Sequence, residues 1–306
     1  MPQVFDTPVL LLLFNRPAHT QVVLERLRGI QPSRVFVHCD GARAHKPGEA
    51  VQVAEVREAV AGIDWPCDIQ TLYREENAGL REGVYGALNW FFSEVEFGIV
   101  IEDDCVPDPS FFAFCATLLN QYAQEEQVMH IGGSNLGAHL TQGMDESYFF
   151  SKFTFVWGWA SWRRAWQKMS LNLDHFDQFI AQNGIEDLSS NIMVQAYFLE
   201  KLRTTKAREN NSWAYAWSYS ILKNKGVSIV PRQNLVQNTG IGTDDATHTV
   251  SDDPRARLKA SAMSFPLVHP PSLQRPPGLD TKLFYAAQKS KIRLVFWYLL
   301  HKLKIR

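Results

Sequence analysis

The chain has 306 residues, 45% hydrophobic and 21% charged, with a formal net charge of −1. This is ordinary globular composition, enough for one large domain or two modest ones, and its near-zero charge argues against a partner held by a strong global field, such as nucleic acid. The charge is unevenly spread: residues 280–306 hold seven Lys or Arg and one acid, a net of +6, which leaves −7 on the rest.

The first third alternates two periods. PVLLLLF (8–14) is a continuous apolar run of strand length, and AHTQVVLERLRGI (18–30) follows with Val22, Val23, Leu24 and Leu27 at helical spacing. RVFVHC (34–39) predicts a strand, 49–63 a helix, CDIQTLY (67–73) a strand and 79–95 a helix. FGIVIE (97–102) is a fourth strand, PSFFAFCATLLNQYAQ (109–124) a helix opened by proline, and QVMHIGG (127–133) a fifth strand. Strand and helix alternating at these lengths predict an α/β fold with a mostly parallel central sheet and helices on both faces. Ligands of such sheets sit beyond the carboxyl ends of the strands.

Those ends read FNRP, HCDG, REENAGLR and EDDC. Asn15 and Arg16 follow the first strand, and arginine offers a forked donor for phosphate or a base carbonyl. Asp40-Gly41 is a turn whose carboxylate suits a base or ribose. Asn77 and Gly79 open a helix, whose amino end suits anions, with Arg81 in its first turn. Each end alone would pass as caps and turns; four on one rim point to a site. The fourth carries Glu102, Asp103 and Asp104 in a row. Crowded carboxylates repel, and with no basic neighbour in sequence they suit a hard divalent cation. Asp108, before Pro109, is explained as a helix N-cap.

The middle is aromatic: FVWGWASWRRAW (155–166) places four tryptophans within ten residues. Gly158 and Trp159 are assigned to a sugar pocket, since sugars stack C–H faces on rings. Trp162 and Trp166, four apart, are assigned to a core-facing helix. The four cysteines, Cys39, Cys67, Cys105 and Cys115, show no C-x-x-C spacing, which argues against a cysteine zinc site. With no basic segment before the short first apolar run, a cytoplasmic, reducing location is expected.

Together FNRP, CDG, NAGLREGVYGAL, EDDCVPDPSFF and GWASWRRAW, followed by VPRQNLVQNTGIGTDDATHT, resemble GT-A-fold glycosyltransferases. The likeness is to a bacterial group similar in its core to family 2 and to the N-acetylglucosaminyltransferase I type, and covers roughly residues 8–250. It implies a GT-A (Rossmann-like) catalytic domain over 1–250 and a metal-dependent hexosyl- or N-acetylhexosaminyltransferase of polysaccharide biosynthesis. The donor implied is a nucleotide-diphosphate sugar, UDP-sugar first, with Mn2+ or Mg2+ as cofactor. Asp104 would ligate the metal directly and His248 would complete its shell. Glu102 and Asp103 would bind ribose or metal-bound water, and Arg16 and Asp40 the nucleotide. The acceptor would be a glycan, lipid-linked or protein hydroxyl. A nucleotidyltransferase would instead show a Gly-rich basic loop after the first strand, which FNRPAH lacks.

One departure stands out. The resemblance leads us to expect an acid, the general base, inside a W-D-Y-x-W-like stretch; here the stretch is WAYAW with Ala214 in that place. Glu186, Asp187 and Glu209 are the alternative bases, and a non-catalytic nucleotide-sugar or glycan-binding module is the alternative function. Residues 251–279 are expected to be a Pro-rich linker. Residues 280–306, with apolar residues at three- and four-residue steps, are expected to form a basic amphipathic helical extension, either at the inner face of an anionic membrane or packed on the body.

Overall fold

The computed structural model describes residues 5–241, 254–287 and Tyr298. The strands are β1 (Val9–Leu13), β2 (Arg34–Cys39), β3 (Asp68–Tyr73), β4 (Phe97–Glu102), β5 (Cys105–Pro107), β6 (Val128–Gly132), β7 (Tyr148–Ser151), β8 (Trp159–Trp162), β9 (Val227–Pro231) and β10 (Val236–Asn238). The helices are α1 (Pro17–Arg28), α2 (Glu49–Ala61), α3 (Gly79–Glu94), α4 (Pro109–Gln121), α5 (Arg163–Trp166), α6 (Phe176–Ala181), α7 (Ile192–Lys206), α8 (Trp213–Lys223) and α9 (Leu279–Ala287). Every element expected up to β6 forms within three residues of its expected bounds.

β1 is five consecutive buried aliphatic residues. A strand is apolar on both sides only where both are covered, and β1 lies inside the sheet, parallel to β2 and to β4. The strand order is β3-β2-β1-β4-β8-β6-β9-β7. β8 is inserted antiparallel between β4 and β6, and β7 closes the edge antiparallel to β9. The other six strands run the same way, so the sheet is mostly parallel. Alternation along β1 feeds two layers. Val9, Leu11 and Leu13 join Val23, Val56 and Leu118 of α1, α2 and α4. Leu10 and Leu12 join Leu88, Phe91 and Trp217 of α3 and α8. A further core gathers Phe149, Val230 and residues of α6 to α9.

The same alternation splits the tryptophans. Trp159 faces the α3 and α8 layer, while Trp162 faces α4 and donates from Nε1 to the Leu119 carbonyl at 3.1 Å. Trp162 is therefore on a strand, not on the helix its spacing to Trp166 suggested; α5 begins only at Arg163.

The described part of the expected linker is packed on the body. Met263 and Leu267 are buried in the first core, and the amides of Ser261, Met263 and Val268 donate to Asn234 O, Ser110 Oγ and Ser147 Oγ. α9 also turns its apolar face inward. Leu279, Leu283 and Phe284 are buried, and Asp280 accepts from Ser151 Oγ, the Lys152 amide and Arg275 Nη1. Tyr298 is buried too and donates to Gln195 Oε1 at 2.8 Å. The expected lipid-facing stripe is thus, over its first two turns, a docking face; the rest of 288–306 lies outside the described residues. Among the described residues no helix is long and apolar enough to cross a membrane.

Candidate functional site

Because β3, β2, β1 and β4 are adjacent and parallel, their carboxyl ends form one rim. Residues from 15 to 104 meet there, as the chain pattern required.

The acid block is the centre of it. Glu102 ends β4, and Asp103 and Asp104 make the turn into β5. β5 pairs antiparallel with β10, Cys105 opposite Asn238. Asn238 Nδ2 donates to Asp104 Oδ1 at 3.2 Å, and the Thr239 amide donates to the Asp104 carbonyl at 2.8 Å. At Gly240 any side chain would strike the Asp104 carboxylate. The strand β10 and these three residues escaped the reading of single residues, although the run containing them carried part of the resemblance.

The acids are not without a basic neighbour. Arg16 Nη1 donates to Asp104 Oδ2 at 3.0 Å and to Asp103 Oδ1 at 3.3 Å. Pro17, at the first position of α1, fixes the helix start beside this contact. Burial works against the charge on Arg16, but the two carboxylates outweigh it and hold its pKa above the ordinary value. One arginine does not neutralise three acids. Burial, then Asp104 and Asp103, pushes the Glu102 carboxyl up to about 8. Burial, then Asp104, pushes Asp103 up to about 7. With all three ionised and Arg16 charged, the block would carry an excess of two negative charges, the charge a divalent cation matches. Among the described residues, however, no three of His, Cys, Asp or Glu are arranged to hold one ion. His248 lies outside the described residues.

The second strand end is occupied by its own contacts. Asp40 is buried, and its carboxylate accepts from the amides of Gly41, Ala78 and Gly79 at 3.0–3.1 Å. The anion at the amino end of α3 is thus Asp40 itself, the carboxylate expected to hold a base or ribose, and the Gly79 amide expected to meet a ligand anion is bonded to it. Arg74 stands 3.7 Å from the same carboxylate. Asn77 Nδ2 donates to the Gly41 carbonyl at 2.8 Å, tying the two loops together. Gly41 is required by that closeness: a Cβ there would lie 2.6 Å from the Glu75 carbonyl oxygen. Below Asp40, His38 is buried with Nε2 unpartnered, and burial pushes its pKa down to about 4.

At the first strand end Asn15 Nδ2 donates to Glu49 Oε1 at 2.9 Å. Glu49 is buried at the start of α2 and takes a forked contact from Arg43, whose guanidinium lies 5.3 Å above the Phe14 ring. That contact, more than burial opposes it, holds the Glu49 carboxyl below the ordinary range. Neither Arg43 nor Glu49 was foreseen.

Three other expectations change. Arg81 does not face the rim opening: it is buried, bonded to Glu82 Oε1, Leu171 O and Asn172 Oδ1, and fastens α3 to the segment after α5. Trp159 is fully buried, stacked on His130 at 5.3 Å and on Trp213 at 5.8 Å, so no sugar reaches its faces. Gly158, at φ +58°, has Val236 where a Cβ would point, and its carbonyl accepts from the Gly133 amide at 2.7 Å; the close backbone approach is real but structural.

Of the expected bases, Asp187 lies beside Lys152, just after the edge strand β7. That is four strand spacings from β4, on the order of 19 Å, too far to act at the acid block. Glu186 shares its loop, and Glu209 is exposed in the turn after α7 next to Arg208, which shares Asn172 with Arg81. No described hydrogen bond joins any of the three to the acids. Ala214 sits in the first turn of α8, capped by Ser212, where its methyl packs on the α3 and α8 layer.

The chain matches no protein family, and no curated protein matches it. Among solved structures it is similar to a cytidylyltransferase from Leptospira borgpetersenii serovar Hardjo-bovis, at 11% identity and a TM-score of 0.33, over 54% of this chain and 63% of that one. It is also similar to 4-diphosphocytidyl-2C-methyl-D-erythritolsynthase from Anaerococcus prevotii, at 8% identity and a TM-score of 0.32, over 58% of this chain and 78% of that one. The chain spans less than two thirds of the first, and likenesses this distant carry no functional argument.

Proposed function

We propose that the protein is a GT-A-type glycosyltransferase that binds a nucleotide-diphosphate sugar, UDP-sugar first, across the carboxyl rim of β1 to β4. The observation that carries this reading is the acid block Glu102, Asp103 and Asp104, paired with Arg16 among the described residues and held on a rim where such sheets bind ligands. Crowded acids placed on that rim suit Mn2+ or Mg2+, with Asp104 as the direct protein ligand and Glu102 and Asp103 toward ribose or metal-bound water. When bound, that cation supplies positive charge against the departing diphosphate.

The chain's own residues divide the remaining work. Asn238 and Thr239 hold Asp104 in place, and Gly240 leaves its carboxylate open. Arg16 offers its guanidinium to phosphate while steadying the acids. Asp40, through α3, shapes the nucleotide cleft rather than touching the base. Acceptor deprotonation has no assigned residue, because Ala214 is apolar and Asp187 is remote. That gap favours a second reading, a nucleotide-sugar or glycan-binding module without turnover. The acceptor is proposed as a glycan, lipid-linked or protein hydroxyl, with membrane contact resting only on the basic charge of 288–306.

Calorimetric titration of UDP-, GDP- and dTDP-sugars, with and without Mn2+, tests the reading, followed by an assay of nucleoside diphosphate release. Metal-dependent binding with release supports the transferase. Metal-dependent binding without release supports the module. Binding indifferent to metal and to Asp104→Asn overturns the rim assignment.

A further inference from the structure

Between α3 and the segment Arg163–Met169 lies a groove of about 390 Å³ that the rim does not use. Tyr85, Asn89 and Ser93 line one wall at four-residue steps, and Arg163, Trp166 and Gln167 line the other. Arg163 stands at the amino end of the sheet, where its amide donates to the Glu96 carbonyl at 2.7 Å. Five strand residues, roughly 17 Å, separate that end from Glu102.

The walls keep hydrogen-bonding capacity in reserve. Asn89 Oδ1 accepts from Trp166 Nε1 at 2.8 Å, which leaves both amide donors of Asn89 without a protein partner among the described residues. The side-chain amide of Gln167 has none either, and Gln167 is exposed. Arg163 spends Nε on Phe92 O at 2.6 Å and Nη2 on Ser93 O at 3.0 Å, leaving Nη1. Between these groups stands an aromatic surface, the half-buried Tyr85 ring with its centroid 6.2 Å from that of Trp166.

This chemistry selects its occupant. An anion would want more than one cationic group, and Arg163 is the single charged residue of the lining. A purely apolar molecule would cover donors it cannot satisfy. A sugar offers hydroxyls to the amides and a C–H face to the tyrosine, and the volume suits a small molecule. We propose that this groove binds one or two units of a neutral glycan, independently of the rim. The inference goes beyond the proposed transfer reaction and stands without it.

Saturation-transfer NMR and tryptophan fluorescence on the full chain, with neutral trisaccharides of glucose, galactose and N-acetylglucosamine as probes, provide the test. At least one probe is expected to bind with a Kd of roughly millimolar strength. Asn89→Asp keeps the acceptor for Trp166 Nε1 and removes the donors, and Gln167→Ala removes an exposed amide. Together they should weaken binding at least tenfold without changing the melting midpoint or nucleotide binding. No binding of any probe at about 10 mM, or equal binding by the double variant, overturns the proposal.

Discussion

Arg16 Nη1 lies 3.0 Å from Asp104 Oδ2, so the acid best placed to ligate a cation already holds a cation of the protein's own. Two roles of Arg16 then pull in opposite directions. It competes with metal for the acids, and it offers positive charge to a diphosphate. Arg16→Gln should therefore bind Mn2+ alone more tightly and nucleoside diphosphate more weakly, each by roughly tenfold for one charge-assisted contact. Titration with each ligand separately checks the split. Weaker binding of both would leave Arg16 a structural clamp only.

Asp40 gives a second prediction, about stability. Its carboxylate caps three backbone N–H groups around the start of α3. Asp40→Ala removes the acceptor from all three in a buried place. The ligand-free protein should lose about 1–3 kcal/mol, read from the denaturant midpoint. An unchanged midpoint with weakened nucleotide binding would return Asp40 to the role its sequence position suggested.

The difference between these two residues shows what was legible in the chain. Continuous apolar runs such as VLLLL exist only in strands covered on both sides, so the parallel core and its rim followed from composition and period. That Arg16, Asp40 and Glu102 to Asp104 share a rim followed too. Which group each side chain chooses did not. Asp40 finds amides 38 and 39 residues away, and Arg16 finds acids 87 and 88 away; no local spacing encodes such pairs. Trp159 misled for the converse reason. A tryptophan beside glycine resembles a stacking platform, yet β8 is an inserted antiparallel strand, and only the sheet order reveals that its side chains are interior. Short elements such as β5 and β10, three residues each, have too few positions for a period.

The buried histidines set a pH dependence. Trp217 Nε1 donates to His130 Nδ1 at 3.3 Å, and His130 Nε2 donates to the Phe155 carbonyl at 2.9 Å, which fixes a neutral ring. Burial pushes His130 and His38 each down to about 4. In the unfolded chain both take protons near pH 6.5. Their stabilising share is therefore full above about pH 6.5 and is lost as pH falls through the folded values, by up to roughly 3 kcal/mol per histidine near pH 4. Glu102 and Asp103, pushed up to about 8 and about 7, act with opposite sign and favour the folded state at lower pH. His130→Gln should flatten the acid limb between about pH 6.5 and 4 while lowering stability at pH 8. An acid limb as steep as in the parent would exclude His130 as its source.

Leu283 decides between the two uses of the C-terminal segment. Its side chain is fully buried against Gly137, where an added Cβ would come within 2.5 Å of Leu283 Cδ2. The next residue, Phe284, packs edge-on against Tyr197 with centroids 5.3 Å apart. A helix lying on lipid would show these residues to the membrane; a docked helix needs them for the body. Leu283→Ala should then cost about 2–5 kcal/mol with no lipid present, the ordinary cost of truncating a buried leucine. Denaturant unfolding in plain buffer reads that loss, and co-sedimentation with anionic vesicles reads any membrane contact through 288–306 separately. Docking predicts a lowered midpoint and unchanged vesicle binding. An unchanged midpoint together with lost vesicle binding would show that Leu283 faces lipid and that α9 does not belong to the core.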